Sequence, residues 1–119
     1  MREFQRRVRS WVEACFGEVV AADRVERNYR YLEEAIELVH ALGCRREDAL
    51  ALIDYVYSRP PGNPDQEVGD VMIALAALCN ACEIELSKAA TSKLVEVWER
   101  IDVIRAKWLR KKVRTSPLP

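Results

Sequence analysis

The sequence is poor in histidine and glycine, two residue types on which many catalytic sites depend. His40 is its one histidine, and its four glycines stand apart from one another. A Gly-rich loop that cradles phosphate is therefore excluded. One chain also cannot supply two Glu-x-x-His elements, so a di-iron site built from them would need two subunits.

Long apolar runs are absent as well. The longest, Val71–Cys79, is far shorter than the roughly 20 residues of a transmembrane helix. The opening MREFQRRVRSW alternates charged and apolar residues and lacks the apolar core of an export signal. We expect a soluble cytoplasmic protein without a membrane partner.

The formal net charge is zero, but charge is unevenly distributed along the chain. Residues 10–99 hold 17 acidic and 8 basic side chains, whereas the two ends together hold 11 basic and 2 acidic ones. A basic C-terminal end is one feature of nucleic-acid binding. We favour a solvated helix end whose cations complement the helix dipole, and we expect no nucleic-acid partner.

Four cysteines are present, and Cys79 and Cys82 form a CxxC pair. The pair lies inside an apolar helical pattern, and no second CxxC accompanies it, so zinc binding and redox catalysis are disfavoured. We interpret all four cysteines as buried or half-buried structural thiols, consistent with a reducing compartment.

Apolar residues recur at helical spacing in five segments, and no strand pattern is present, so the sequence predicts an all-α fold in one domain, 1–119. Asp23 and Asn63 are predicted N-caps, with Glu26 and Gln66 as their partners three residues on. The tail TSPLP is predicted to be loose. The five predicted helices end at Gly17, run from about 23 to Gly43, from about 45 to 57, from Pro64 to about 81, and from about 86 to Lys112.

Two helices carry paired carboxylates. Glu34 and Glu37 are neighbours on the second predicted helix, and Glu67 and Asp70 are neighbours on the fourth, because residues three apart share a helix face. Four carboxylates leading into buried helices repel one another unless a cation lies between them. Magnesium prefers oxygen ligands and keeps sites open for substrate phosphates. The alternative is a solvated face formed by Glu33, Glu34 and Glu37, on which Glu33 pairs with Arg30 and Glu34 pairs with Arg30 or Arg27.

The segments ERNYRYLEEAIELVHALG and DYVYSRPPGNPDQEVGDVMIALAALC carry an EExxE motif and an ExxD motif. In this the chain resembles the MazG-like, all-α nucleoside triphosphate pyrophosphohydrolases, over about residues 23–107. The resemblance implies a bundle of four to five helices. The fourth predicted helix is apolar on nearly every side, so we predict that it lies at the centre of a bundle and that the chain assembles as a homodimer or homotetramer. The chain end from 108 to 119 lies beyond the resemblance.

The resemblance also implies an activity: Mg²⁺-dependent hydrolysis of a nucleoside triphosphate between its α and β phosphates, with Mn²⁺ as a possible substitute. Glu34, Glu37, Glu67 and Asp70 match the metal ligands. Glu33 and Glu37 are the expected catalytic carboxylates, and Glu33 would orient water.

Substrate contacts are less clearly marked in the sequence. The 29 residues between the motifs, 38–66, form a longer connection than the signature usually has. Lys93 and Arg100 are our candidates for holding phosphates. Tyr29, with Trp11 and Tyr31, is available to stack on a base, although such residues more often belong to a core.

Two other functions remain open. Glu37 and His40 form an ExxH element, which di-iron carboxylate bundles use. A lone helical histidine is more often an ordinary side chain than a ligand. The third possibility is a non-catalytic helical protein that binds a partner.

Overall fold

The structure is a computed structural model that describes the backbone of residues 1–111 and the side chains of residues 1–110. These residues form seven helices and no strand, which confirms the all-α prediction. The predicted helix end at Lys112 and the predicted loose tail lie outside the described residues. The helices are α1 (Arg2–Phe16), α2 (Glu18–Ala21), α3 (Arg24–Ala41), α4 (Arg46–Tyr57), α5 (Pro64–Ala81), α6 (Leu86–Glu99) and α7 (Ile101–Lys111).

The predicted start and stop signals act where the sequence places them. Gly17 ends α1 with a φ of 92°, a conformation that favours glycine. Asp23 caps α3, since its Oδ1 accepts hydrogen bonds from the backbone N–H groups of Val25 and Glu26, both at 3.1 Å. Glu26 does not reach back to this cap, because its carboxylate pairs with arginines further along α3.

The helix pairs α3–α4 and α5–α6 resemble each other in where their helices begin and in how the helices are connected. The helices α3 and α5 each contain 18 residues and follow an Asx cap, Asp23 or Asn63. Each ends in a Schellman-type reversal, in which Cys44 N–H bonds to Val39 and Ile84 N–H bonds to Cys79, both at 2.9 Å. The connections from α3 to α4 and from α5 to α6 thus have the same backbone construction, although their side chains differ.

The last predicted helix is divided at Arg100, where the chain makes a turn between α6 and α7. No proline or glycine marks the position. Backbone hydrogen bonds continue on both sides, from Arg100 to Glu96 at 3.1 Å and from Ile104 to Arg100 at 3.0 Å. The division therefore distorts the helix locally, at the point from which the chain makes its contacts with α1.

The chain divides into two compact units: one combines Met1–Ala35 with the chain from Lys88 onward, and the other is Ile36–Ser87. In the first unit, α1 contacts α2 and α7. Trp11 donates from Nε1 to the carbonyl of Val97 at 3.0 Å. Phe16 lies between two tryptophans, with ring centroids 5.7 Å from Trp11 and 5.3 Å from Trp108. Aromatic contacts thus organise the core of this unit.

The second unit leaves most of its apolar side chains exposed. Its buried apolar residue among those described is Cys79. The helical spacing of Leu52, Ile53 and Val56 in α4 predicts that they face inward, but all three are exposed. In α5, Val68 is 64% and Ile73 71% exposed in the single chain. The prediction that α5 lies at the centre of a bundle goes together with that of a homo-oligomer and stays a prediction. The described residues supply no element that covers these faces.

Candidate functional site

The predicted EExxE motif lies in the second half of α3, as a regular helix. At about 100° per residue, Glu33, Glu34 and Glu37 share one face of this helix. Glu33 is half-buried, whereas Glu34 and Glu37 are exposed. The sequence thus predicts correctly that the three carboxylates are neighbours along α3.

The ExxD motif lies in the first two turns of α5. Asn63 fixes the start of this helix, because its Oδ1 accepts from Gln66 N–H at 3.3 Å, as predicted. Acidic groups near a helix N-terminus are favoured by the helix dipole. The Glu67 carboxylate lies against the preceding loop, with Oε1 3.0 Å from where a Cβ on Gly62 would stand. Glu67 and Asp70 are both exposed.

The structure does not gather the predicted ligands into one group. Within residues 1–111, no three or more His, Cys, Asp or Glu side chains are close enough together to hold a metal ion. Exposed carboxylates of like charge gain nothing by converging unless a cation neutralises them. Carboxylate oxygens are ligands that magnesium prefers. That the four predicted carboxylates converge on one magnesium ion stays a prediction.

Gly69, between the two ExxD carboxylates, has no close neighbour. A Cβ placed on it would meet no described atom within 4 Å. A glycine inside a helix predicts the close approach of another group. The described part of the chain does not itself make such an approach to Gly69.

Glu33 belongs to a chain of ion pairs along α3. Its Oε1 lies 2.8 Å from NH1 of Arg30, and Nε of Arg30 lies 3.3 Å from Oε1 of Glu26. The same Glu26 oxygen is 3.7 Å from NH2 of Arg27. The pairing of Arg30 with Glu33, which the alternative of a solvated face predicts, is thus present.

Sequence reasoning considered Arg27 only as an ion-pair partner of Glu34 on a solvated face. Arg27 is half-buried, and its guanidinium carbon lies 5.4 Å from the centroid of the Phe16 ring. Its buried Nε has no hydrogen-bond acceptor. Burial lowers the pKa of Arg27, against the opposing effect of Glu26. The sequence places Arg27 on the same helix face as the motif glutamates. A fully solvated arginine would have the same spacing, so the sequence did not reveal that Arg27 is half-buried.

The other predicted substrate residues lie apart from this chain of ion pairs. Lys93 and Arg100 both pair with Oε1 of Glu96, at 3.1 and 3.7 Å, and both are exposed. Tyr29 is half-buried and Tyr31 exposed. Trp11 belongs to the core, because its indole N–H is bonded to Val97.

The histidine and the cysteines form no metal site among the described residues. His40 is exposed near the end of α3. All four cysteines are free: Cys15 and Cys79 are buried and Cys44 is half-buried, which agrees with structural thiols. Cys82 is exposed, so the prediction that all four are at least half-buried is wrong there.

A cavity of about 320 Å³ lies in the second unit, between the end of α3 and α5. Its lining residues are apolar or small: Val39, Leu42, Gly43, Cys44 and Leu78. No motif carboxylate reaches it, so it is not the predicted metal site.

Within residues 1–111, no helix combines the length and apolarity that crossing a bilayer requires. Comparisons of the chain with protein-family models, curated proteins and solved structures find no match.

Proposed function

We propose that this protein is a magnesium-dependent nucleoside triphosphate pyrophosphohydrolase that cleaves between the α and β phosphates. Its products are a nucleoside monophosphate and pyrophosphate. Glu34, Glu37, Glu67 and Asp70 hold the metal, for which Mn²⁺ can substitute, and Glu33 orients the attacking water.

One observation supports this proposal above the others. The carboxylates of Glu37, Glu67 and Asp70 are exposed and make no ion pair with any described residue. Glu26 and Glu33 of α3, by contrast, are engaged by arginines. Oxygens intended for a cation should lack protein cations, and three of the four proposed ligands meet that condition.

The chemistry needs few groups from the protein. A bound divalent cation neutralises phosphate charge and lowers the pKa of a water that it holds. The chain's own residues position the phosphates and the water. Glu33 is suited to orienting water because Arg30 fixes its carboxylate, and no nucleophilic side chain is required.

The proposed active assembly is a homo-oligomer. The apolar faces of α4 and α5 support this, since Leu52 and Val68 are more than half exposed. Exposed apolar patches of this kind mark interaction surfaces. A second copy of the chain would cover them and would also account for the open space at Gly69.

The test is a screen of ribo- and deoxyribonucleoside triphosphates with Mg²⁺, read out as pyrophosphate release. Turnover should disappear with a chelator and in Glu37→Gln and Asp70→Asn. Glu99→Gln, an exposed carboxylate of α6 outside the motifs, is the matched control and should retain activity. Absence of turnover with every nucleotide, modified bases included, would refute the proposal and leave a binding role for the apolar faces.

A further inference from the structure

The ion pairs on α3 contain two half-buried arginines, Arg27 and Arg30, and Arg30 is engaged by both Glu26 and Glu33. Glu26 offers one oxygen, Oε1, to both Arg27 and Arg30. A guanidinium carries five N–H donors. Arg27 has one ion-pair contact, at the long distance of 3.7 Å, and its buried Nε has no acceptor. A buried donor left without an acceptor is costly and calls for an explanation.

These arginines share a face with the proposed metal ligands. At about 100° per residue, Arg27, Arg30, Glu33, Glu34 and Glu37 fall within an arc of about 120° around α3. Arg30 precedes Glu34 by about one helical turn, so a group held at Glu34 lies within reach of its long side chain.

We infer that Arg27 and Arg30 bind the phosphate chain of the substrate, in place of Lys93 and Arg100. The inference rests on the proposed function for the identity of the substrate, but the ligand chemistry is that of any linear polyphosphate. Arg30 contributes a planar fork that matches phosphate geometry. Arg27 contributes a cation whose buried Nε–H gains the acceptor that the chain alone does not provide.

Calorimetric titration with inorganic triphosphate, at low ionic strength and in the presence of a chelator, tests the inference without the metal site. We expect Arg27→Gln and Arg30→Gln each to weaken binding about tenfold, the loss of one charge-assisted interaction. Arg24→Gln is the matched control, an exposed arginine of the same helix outside the shared arc, and should bind like the wild type.

Circular dichroism establishes that each variant is folded, and Arg30→Lys provides a second variant that keeps the charge but loses the fork. If Arg27→Gln fails to fold, the comparison of Arg30→Gln with Arg24→Gln decides. In the nucleotide assay, Arg30→Gln should raise KM about tenfold and change kcat less.

The outcomes separate this inference from the proposed function. Triphosphate binding that depends on Arg27 and Arg30 without nucleotide turnover would refute the hydrolase proposal alone. Turnover with KM and binding unchanged in Arg30→Gln would refute the phosphate contacts alone. Absence of triphosphate binding by the wild type, or equal losses in Arg24→Gln and Arg30→Gln, would also overturn the inference.

Discussion

Arg105 donates from Nε to the backbone carbonyl oxygen of Cys15 at 3.1 Å, across 90 residues of sequence. Its NH2 also donates to the carbonyl of Ala14. The last carbonyls of a helix lack partners within the helix, and α1 has no basic residue in its last turn. Arg105 therefore supplies from α7 both the donors and the positive charge that the end of α1 lacks.

We expect Arg105→Gln to lower the free energy of unfolding by about 1 to 3 kcal/mol, because charge-assisted hydrogen bonds between α1 and α7 are lost. Urea denaturation followed by circular dichroism measures the change. Arg110→Gln removes an exposed charge from the same helix and should alter stability by less than about 0.5 kcal/mol. Equal losses in the two variants would show that the contact with α1 contributes nothing specific.

Helix positions could be predicted because their signals are local. Asp23 and Asn63 cap their helices through side chains acting on backbone groups two or three residues away. Gly17 and Gly43 end helices through their own backbone conformation. Such interactions depend on a few neighbouring residues, so a linear sequence contains the information they need.

The packing of these helices could not be predicted in the same way. Apolar periodicity shows that a face of α4 or α5 avoids water, but it does not name the surface that covers it. The sequence predicted that Leu52 faces inward and that α5 lies at the centre of a bundle, and the single chain leaves both Leu52 and Ile73 exposed. The division at Arg100 was missed because no proline or glycine marks it, and the contacts that α7 makes after it, those of Arg105 and Trp108 with α1, join residues distant in sequence.

The candidate site shows the same contrast between local features, which could be predicted, and packing, which could not. Both acidic motifs lie on helices, as predicted, since their spacing has meaning only there. Whether the oxygens meet depends on how α3 and α5 are placed and on a cation that neutralises them. Neither is encoded in the spacing of Glu34 and Glu37.

The thiols of Cys15 and Cys82 should differ in their reactivity towards alkylating reagents. Cys15 is buried, whereas Cys82 is exposed just beyond the end of α5. We expect iodoacetamide to label Cys82 in the native protein and Cys15 only on unfolding, because alkylation requires an accessible thiolate. Mass spectrometry of peptides gives the order. Early labelling of Cys15 would contradict the packing of α1 described above.

Cys15 should also make stability depend on pH in alkaline solution. Burial raises the pKa of its thiol above the ordinary value of 9.0, although Arg105 and Arg27 oppose the shift. The folded protein then retains a proton that the unfolded chain releases. This contribution is fully present below pH 9 and falls as pH rises through the folded pKa. Denaturation between pH 8 and about 10.5 should show a decline that is smaller in Cys15→Ala.

Glu83 occupies a conformation better suited to glycine. Its φ of 56° lies in the left-handed region. Glu83 follows α5 at the position that Gly43, with a φ of 90°, occupies after α3. We expect Glu83→Gly to raise the free energy of unfolding by about 0.5 to 1 kcal/mol, since relief of the backbone cost exceeds the added freedom of the unfolded chain.

Gly43→Ala is the reciprocal change and should destabilise by about 1 kcal/mol. A Cβ at this position meets no described atom within 4 Å, so the backbone conformation alone sets that cost. Chemical denaturation measures both variants. Destabilisation by Glu83→Gly would mean that the Glu83 side chain makes an interaction that outweighs the strain.

Self-association through α5 is the remaining consequence of the proposed assembly. Ile73 is 71% exposed in the chain, and burying such a side chain contributes about 1.5 to 3 kcal/mol. In a two-fold symmetric dimer each interface contains it twice. Ile73→Glu should therefore weaken dimerisation at least about a hundredfold, since it removes both contributions and buries charge.

Val19→Glu changes an equally apolar residue of α2, 85% exposed, and should leave the assembly intact. Sedimentation velocity at micromolar concentration distinguishes the cases. A monomeric wild type, or equal effects of the two variants, would show that a second copy does not cover α5.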